Sequence, residues 1–176
     1  MIDEYDVTFA VKEWLISKGW RIIAFNPPGA QGTFTIPNPR KAVGYKGQTG
    51  SLSPDIIGIK NSKYLIVVES KPYYKKDDIQ KLISLFEDEE RVELLKMIVD
   101  NVCKANNINF NKDECVIILA KAHGGKIHPE NNIETFHISI KENWNASYIK
   151  SSENPLDYIK LTYYPSSKIK ESIIKN

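Results

Sequence analysis

Residues 53–71 read SPDIIGIKNSKYLIVVESK, two apolar runs of strand length on either side of a short polar turn. Two such runs bury each other as a hairpin, which brings Asp55, before the first run, back beside Glu69, after the second. In the second run Lys63, Leu65, Val67, Glu69 and Lys71 share one face of the strand, and Tyr64, Ile66, Val68 and Ser70 share the other. Charged groups that close an apolar strand are expensive to desolvate unless something compensates them. Two carboxylates beside an ammonium are compensated well by a divalent cation, so the stretch points to chemistry on phosphate.

Register decides whether the two acids can cooperate. A two-residue turn at Asn61-Ser62 pairs Lys60 with Lys63, sets Asp55 opposite Val68 and leaves Glu69 on the other face. A three-residue loop, Asn61-Ser62-Lys63, pairs Lys60 with Tyr64 and sets Asp55 opposite Glu69, and a bulge near Pro54 also shifts the parity by one. The expectation is an odd loop or a bulge, with the two carboxylates roughly 4 to 6 Å apart so that one cation reaches both.

Pro54-Asp55 followed by Glu69-Ser70-Lys71 at the end of a hydrophobic strand resembles the PD-(D/E)XK nuclease superfamily. The motif covers about a tenth of the chain. The resemblance implies a restriction-endonuclease-like α/β core with a mixed central sheet flanked by helices. It also implies Mg²⁺, with Mn²⁺ able to substitute, held by Asp55 and Glu69, and Lys71 orienting water or offsetting charge. Members often add a third acid from the opening helix, which makes Glu4 the candidate ligand here. An acid in a first helical turn is equally accounted for by the helix dipole. Glu13, farther along, reads as a solvated residue.

The remaining composition is that of an ordinary globular chain: 176 residues, 41% hydrophobic, 26% charged, net charge +2. That is enough for one well-filled core and short for two, so the reading is one domain over 1–176, with a core to about residue 140 and an extension over 141–176. Such a mild charge does not by itself demand nucleic acid. Cys103 and Cys115 lack metal-type spacing, no signal-peptide pattern opens the chain, and no run is long enough to cross a bilayer, which together suggest a cytoplasmic protein. His123, His128 and His137 match no zinc pattern.

Along the chain, Val7, Ala10, Val11, Trp14 and Leu15 recur at helical spacing, predicting a helix over 4–18 capped by Asp3 and ended by Gly19. Trp20 to Phe25 reads as a strand. The segment 26–53, rich in Gly and Pro, carries Arg40, Lys41 and Lys46 and reads either as a loop that embraces substrate or as a surface loop with incidental charge. Tyr73, Lys75 and Lys76 are placed to meet sugar and phosphate just past the site, although a soluble lysine-rich turn explains them equally. A helix opening at Asp77 carries Gln80, a position where some members of the superfamily hold a site residue. A second helix over 89–105 offers Val92, Leu95, Ile98, Val99 and Val102 as its inward stripe. Strands follow at 114–121 and 135–140, and a lysine-rich helix is expected from Ser166.

The function these features imply is Mg²⁺-dependent DNA endonuclease activity of a type II restriction kind, with DNA as substrate and a homodimer or a partner nuclease subunit as the assembly. The alternatives are a Holliday junction resolvase or another repair or recombination nuclease, and a non-catalytic DNA-binding or subunit-assembly module on the same fold.

Overall fold

A computed structural model describes residues 3–29, 34–39, 50–73, 82, 86–124, 136–141, 145–150, 161–163 and 170–172. Helix α1 spans Glu4–Ser17 and begins with the predicted cap. The Asp3 carboxylate accepts from Asp6 N–H at 2.8 Å while Asp6 accepts in return from Asp3 N–H, satisfying two donors that a helix start leaves over. Gly19, at φ +81°, ends the helix in a backbone region where a side chain is strained. Strand β1 (Arg21–Phe25) follows directly.

The predicted hairpin consists of β2 (Ile56–Lys60) and β3 (Tyr64–Lys71), antiparallel, with Lys60 opposite Tyr64 and Ile56 opposite Val68. The connection is therefore a three-residue loop, one of the two arrangements expected, with Asn61 and Ser62 both at positive φ. Gly58 in β2 is a close-approach position, because a Cβ there would meet Ile66 Cγ2 at 3.3 Å and Arg21 O at 3.4 Å.

Helix α2 occupies Glu89–Ala105, the predicted bounds. Its inward stripe differs from the expected one: Arg91, Leu95, Val99 and Cys103 are buried at four-residue spacing, and Val92, Ile98 and Val102 are only half-buried. Arg91 takes an inward place because Gly50 O accepts from its Nη1 at 2.8 Å, a partner that hydrophobic periodicity does not reveal.

Strand β4 (Val116–Gly124) runs parallel to β3 over Tyr64–Lys71, which carries it past the expected end at Lys121. Strands β5 (Phe136–Lys141), β6 (Asn145–Lys150), β7 (Leu161–Tyr163) and β8 (Lys170–Ser172) continue the sheet in chain order. The helix expected from Ser166 is thus corrected: Lys170–Ser172 pairs with β7 as an antiparallel strand, and ladder bonds to a neighbouring strand outweigh the weak local preference of lysine and serine for a helix.

The result is an α/β domain with a mixed sheet, parallel at β3/β4 and β4/β5 and otherwise antiparallel. On one face α1 buries Val7, Ala10, Val11, Trp14 and Leu15 against Ile56, Ile66, Val68, Ile118, Ala120 and Ala122. On the other, α2 buries Leu95, Val99 and Cys103 against Ile57, Leu65 and Val67. The odd-numbered residues of β3 thus face α2 and the even-numbered ones face α1, as strand alternation predicts. Among the described residues no helix is long and apolar enough to cross a membrane.

Candidate functional site

The hairpin's open end lies at the carboxyl ends of the parallel pair β3/β4, where α/β sheets commonly present their ligand sites. The backbone there holds Asp55 from three sides. Its carbonyl accepts from Asn26 N–H at 2.8 Å and its N–H donates to Val68 O at 3.0 Å. Its Oδ2 accepts from Ser70 N–H at 2.6 Å. Because Ile56 already pairs with Val68, the bond from Asp55 N–H to Val68 O marks a local slip at the strand's start, next to Pro54. Asn26 completes the support, donating through Nδ2 to Pro54 O at 2.9 Å and to Phe34 O at 3.1 Å.

Glu69 and Lys71 close β3 on its α2 face, and Glu4 reaches the same point from the first turn of α1 in the opposite layer. Lys71 Nζ lies 2.9 Å from Glu69 Oε1 and 3.2 Å from Glu4 Oε1. All three side chains keep 22–31% of their surface exposed, so the cluster is open to a ligand while its members hold one another. Of the two readings of Glu4, the structure places it at the cluster as well as in the first helical turn. Glu13 instead pairs with Lys12 at 3.2 Å.

The electrostatics follow from this crowding. Burial, reinforced by the charge on Glu69 and in smaller part on Glu4, raises the Asp55 carboxyl from 3.8 to about 7, against the opposing pull of the Ser70 N–H and Lys71. For Lys71, burial alone would lower the ammonium, but Glu69 and Glu4 outweigh it and hold it above the usual lysine range. Lys71 is accordingly a cation at neutral pH, suited to donate hydrogen bonds and offset charge. A buried carboxyl among like charges is a mark of sites under functional constraint.

Comparison with protein-family models, with curated proteins and with solved structures matches this chain to none of them. Its chemistry is therefore read from the cluster itself. The donor set of Asp55, Glu69 and Glu4 is all oxygen, the preference of Mg²⁺ and Mn²⁺. Among the described residues no three His, Cys, Asp or Glu side chains form a ready metal cage. Magnesium at phosphate sites commonly uses one or two carboxylates together with substrate oxygens.

Of the other predicted contacts, Tyr73 is 57% exposed just beyond β3. Arg40, Lys41, Lys46, Lys75, Lys76 and Gln80 lie outside the described residues. Lys121, read from sequence only as a strand end, and His123, set aside for want of a zinc pattern, stand in β4 in register with Glu69 and Lys71. Both lie two-residue steps along from Ile117 and Leu119. That signal becomes readable only once the parallel pairing is known.

Proposed function

We propose that this chain is a Mg²⁺-dependent DNA endonuclease with a PD-(D/E)XK-type site. The observation that carries the reading is the convergence at one sheet end of Asp55, Glu69 and Glu4 around Lys71, with the Asp55 carboxyl raised to about 7 by burial and its acidic neighbours. So much negative charge at an open strand end is well suited to a divalent cation that brings phosphate with it.

Asp55 and Glu69 would hold the cation, with Glu4 as a third ligand. A bound Mg²⁺ supplies Lewis-acid polarisation of the scissile phosphate and neutralises charge on the leaving oxygen. Lys71, an ammonium tied to two carboxylates, orients the attacking water and stabilises developing negative charge by N–H donation. Water attacks phosphorus in line, the bond from phosphorus to the 3′ oxygen breaks, and the products are a 3′ hydroxyl and a 5′ phosphate. The water's proton passes to solvent, and the departing 3′ oxygen takes one from it. The restriction-type assignment rests on the long 26–53 segment with Arg40, Lys41 and Lys46 and on the aromatic 141–176 extension, both beyond what hydrolysis alone requires.

Plasmid incubated with the protein and Mg²⁺ tests the reading, with EDTA as control. Discrete fragments identify a site-specific enzyme, smearing a nonspecific one, and cleavage of four-way junctions alone a resolvase. Intact DNA that shifts on a gel identifies a binding module and overturns the hydrolase.

A further inference from the structure

On the α2 face, the change from apolar to ionisable side chains falls at one level on the neighbouring strands β3 and β4. Ile57, Val67 and Leu119 lie side by side in the core. Two residues farther along, β3 arrives at Glu69 and β4 at Lys121, and the two pair across the parallel ladder. One step beyond, Lys71 pairs with His123, whose Nδ1 lies 3.0 Å from Gly124 O and so carries the proton that a carbonyl needs. On the α1 face nothing comparable occurs on these two strands: Val68 gives way to Ser70, and Ala120 to Ala122. Lys121 is 1% exposed. Burying an ammonium has an effective penalty of several kcal/mol. An apolar residue at that position would avoid it, so a lysine there calls for a reason tied to its neighbours.

We propose that Lys121 is a positioning residue of the hydrolytic site, flanking Glu69 from β4. The inference rests on the hydrolase reading and extends it to a fifth side chain. Strands pair about 4.8 Å apart, and at that spacing, away from water, a charge acts strongly on its neighbour. Like-charge repulsion between Asp55 and Glu69 would turn the Glu69 carboxylate away. A cation beside Glu69 across the ladder draws that carboxylate toward β4 and fixes where it points. With Glu4, Asp55, Glu69 and Lys71 all ionised the cluster holds two net negative charges, and Lys121 leaves one. Lys121 therefore trades cation affinity for orientation of the acid that uses the cation.

The test is calorimetric titration of the wild type, Lys121→Met and Lys121→Arg with Ca²⁺, beside plasmid nicking in Mg²⁺. Lys121→Met keeps the volume and removes the charge. It should bind Ca²⁺ about tenfold more tightly, yet nick with kcat lowered about 10- to 100-fold and KM little changed, the usual span for residues that orient ligands. Lys121→Arg should keep wild-type Ca²⁺ affinity within about threefold. A Lys121→Met protein with unchanged Ca²⁺ affinity overturns the inference alone, because a purely space-filling role survives that substitution. Should Lys121→Met fail to fold, Lys121→Gln makes the same comparison. A wild type that neither takes up Ca²⁺ nor nicks DNA overturns the hydrolase reading and this inference with it.

Discussion

Lys60 and Lys71 belong to the same hairpin, both partly buried, and their ammonium groups are pushed in opposite directions. At the turn end, Lys60 Nζ donates to Lys18 O at 2.6 Å, where α1 ends, and burial together with the charge on Lys18 lowers its pKa. At the open end, Glu69 and Glu4 raise Lys71 in spite of burial. The residue type is the same and the strand environment similar, so the company of each lysine makes the difference. One neutral carbonyl makes a helix cap, whereas two carboxylates make a place where charge can be handled. A lysine beside a strand end is informative only through what shares its face.

The largest expected effect separates the two ends outright. Lys71→Ala should lower DNA cleavage at least about 100- to 1000-fold, the range for removing a donor aimed at developing charge. Its melting temperature should stay within a few degrees of wild type, as for a part-exposed side chain. Wild-type turnover in that variant would remove Lys71 from the mechanism.

Asp55→Asn tests the other side of the cluster. The folded-state pKa of Asp55 is raised from 3.8 to about 7, so its stabilising contribution is full below about pH 4 and is lost as pH rises through 7. Asp55→Asn, which keeps an oxygen for the Ser70 N–H, should therefore be inactive yet more stable than wild type at pH 8, with the difference narrowing toward pH 4. Denaturant melts at the two pH values check this, and a less stable variant at pH 8 would contradict the burial argument. Cation binding must also displace the Asp55 proton, so Mg²⁺ should raise the wild-type melting temperature more at pH 8 than at pH 5.5.

A smaller effect bears on Glu4. If it shares the cation, Glu4→Gln should weaken Ca²⁺ binding about tenfold, whereas a helix-dipole role alone would change only stability, by under about 1 kcal/mol. The smallest effect belongs to the turn end. Lys60→Met should leave cleavage unchanged and alter stability by about 1 kcal/mol or less, the net worth of one hydrogen bond offset by relief of desolvation. Loss of activity there would erase the contrast between the two lysines.

Much of the fold is legible in the residues themselves. Asp3, the apolar stripe of α1 and Gly19 give that helix its bounds, and the three-residue hairpin loop is one of the two arrangements its sequence suggests. These are local signals, carried by caps, spacing and turn length. The rest depends on pairing between distant segments. Lys121 looks like the polar end of a strand until β4 is laid parallel to β3, and Arg91 looks like a surface residue until Gly50 O is found beside it. In the tail, Lys170–Ser172 has no alternating pattern of its own and is a strand only through its partner.

The segment before the hairpin has a closed neck. Ile36 and Leu52 exchange both backbone hydrogen bonds, Thr35 Oγ1 lies 2.9 Å from Ser53 Oγ, and Asn38 packs against Gly50 so tightly that a Cβ there would meet its Nδ2 at 2.6 Å. Whatever lies between Asn38 and Gly50 therefore starts and finishes at one anchored point, well apart in sequence from the residues that grip Asp55. Doubling the length of such an insert adds only about 0.6 kcal/mol of closure entropy. Changes of length between Asn38 and Gly50 are therefore expected to leave the setting of the carboxylates at the sheet end unchanged.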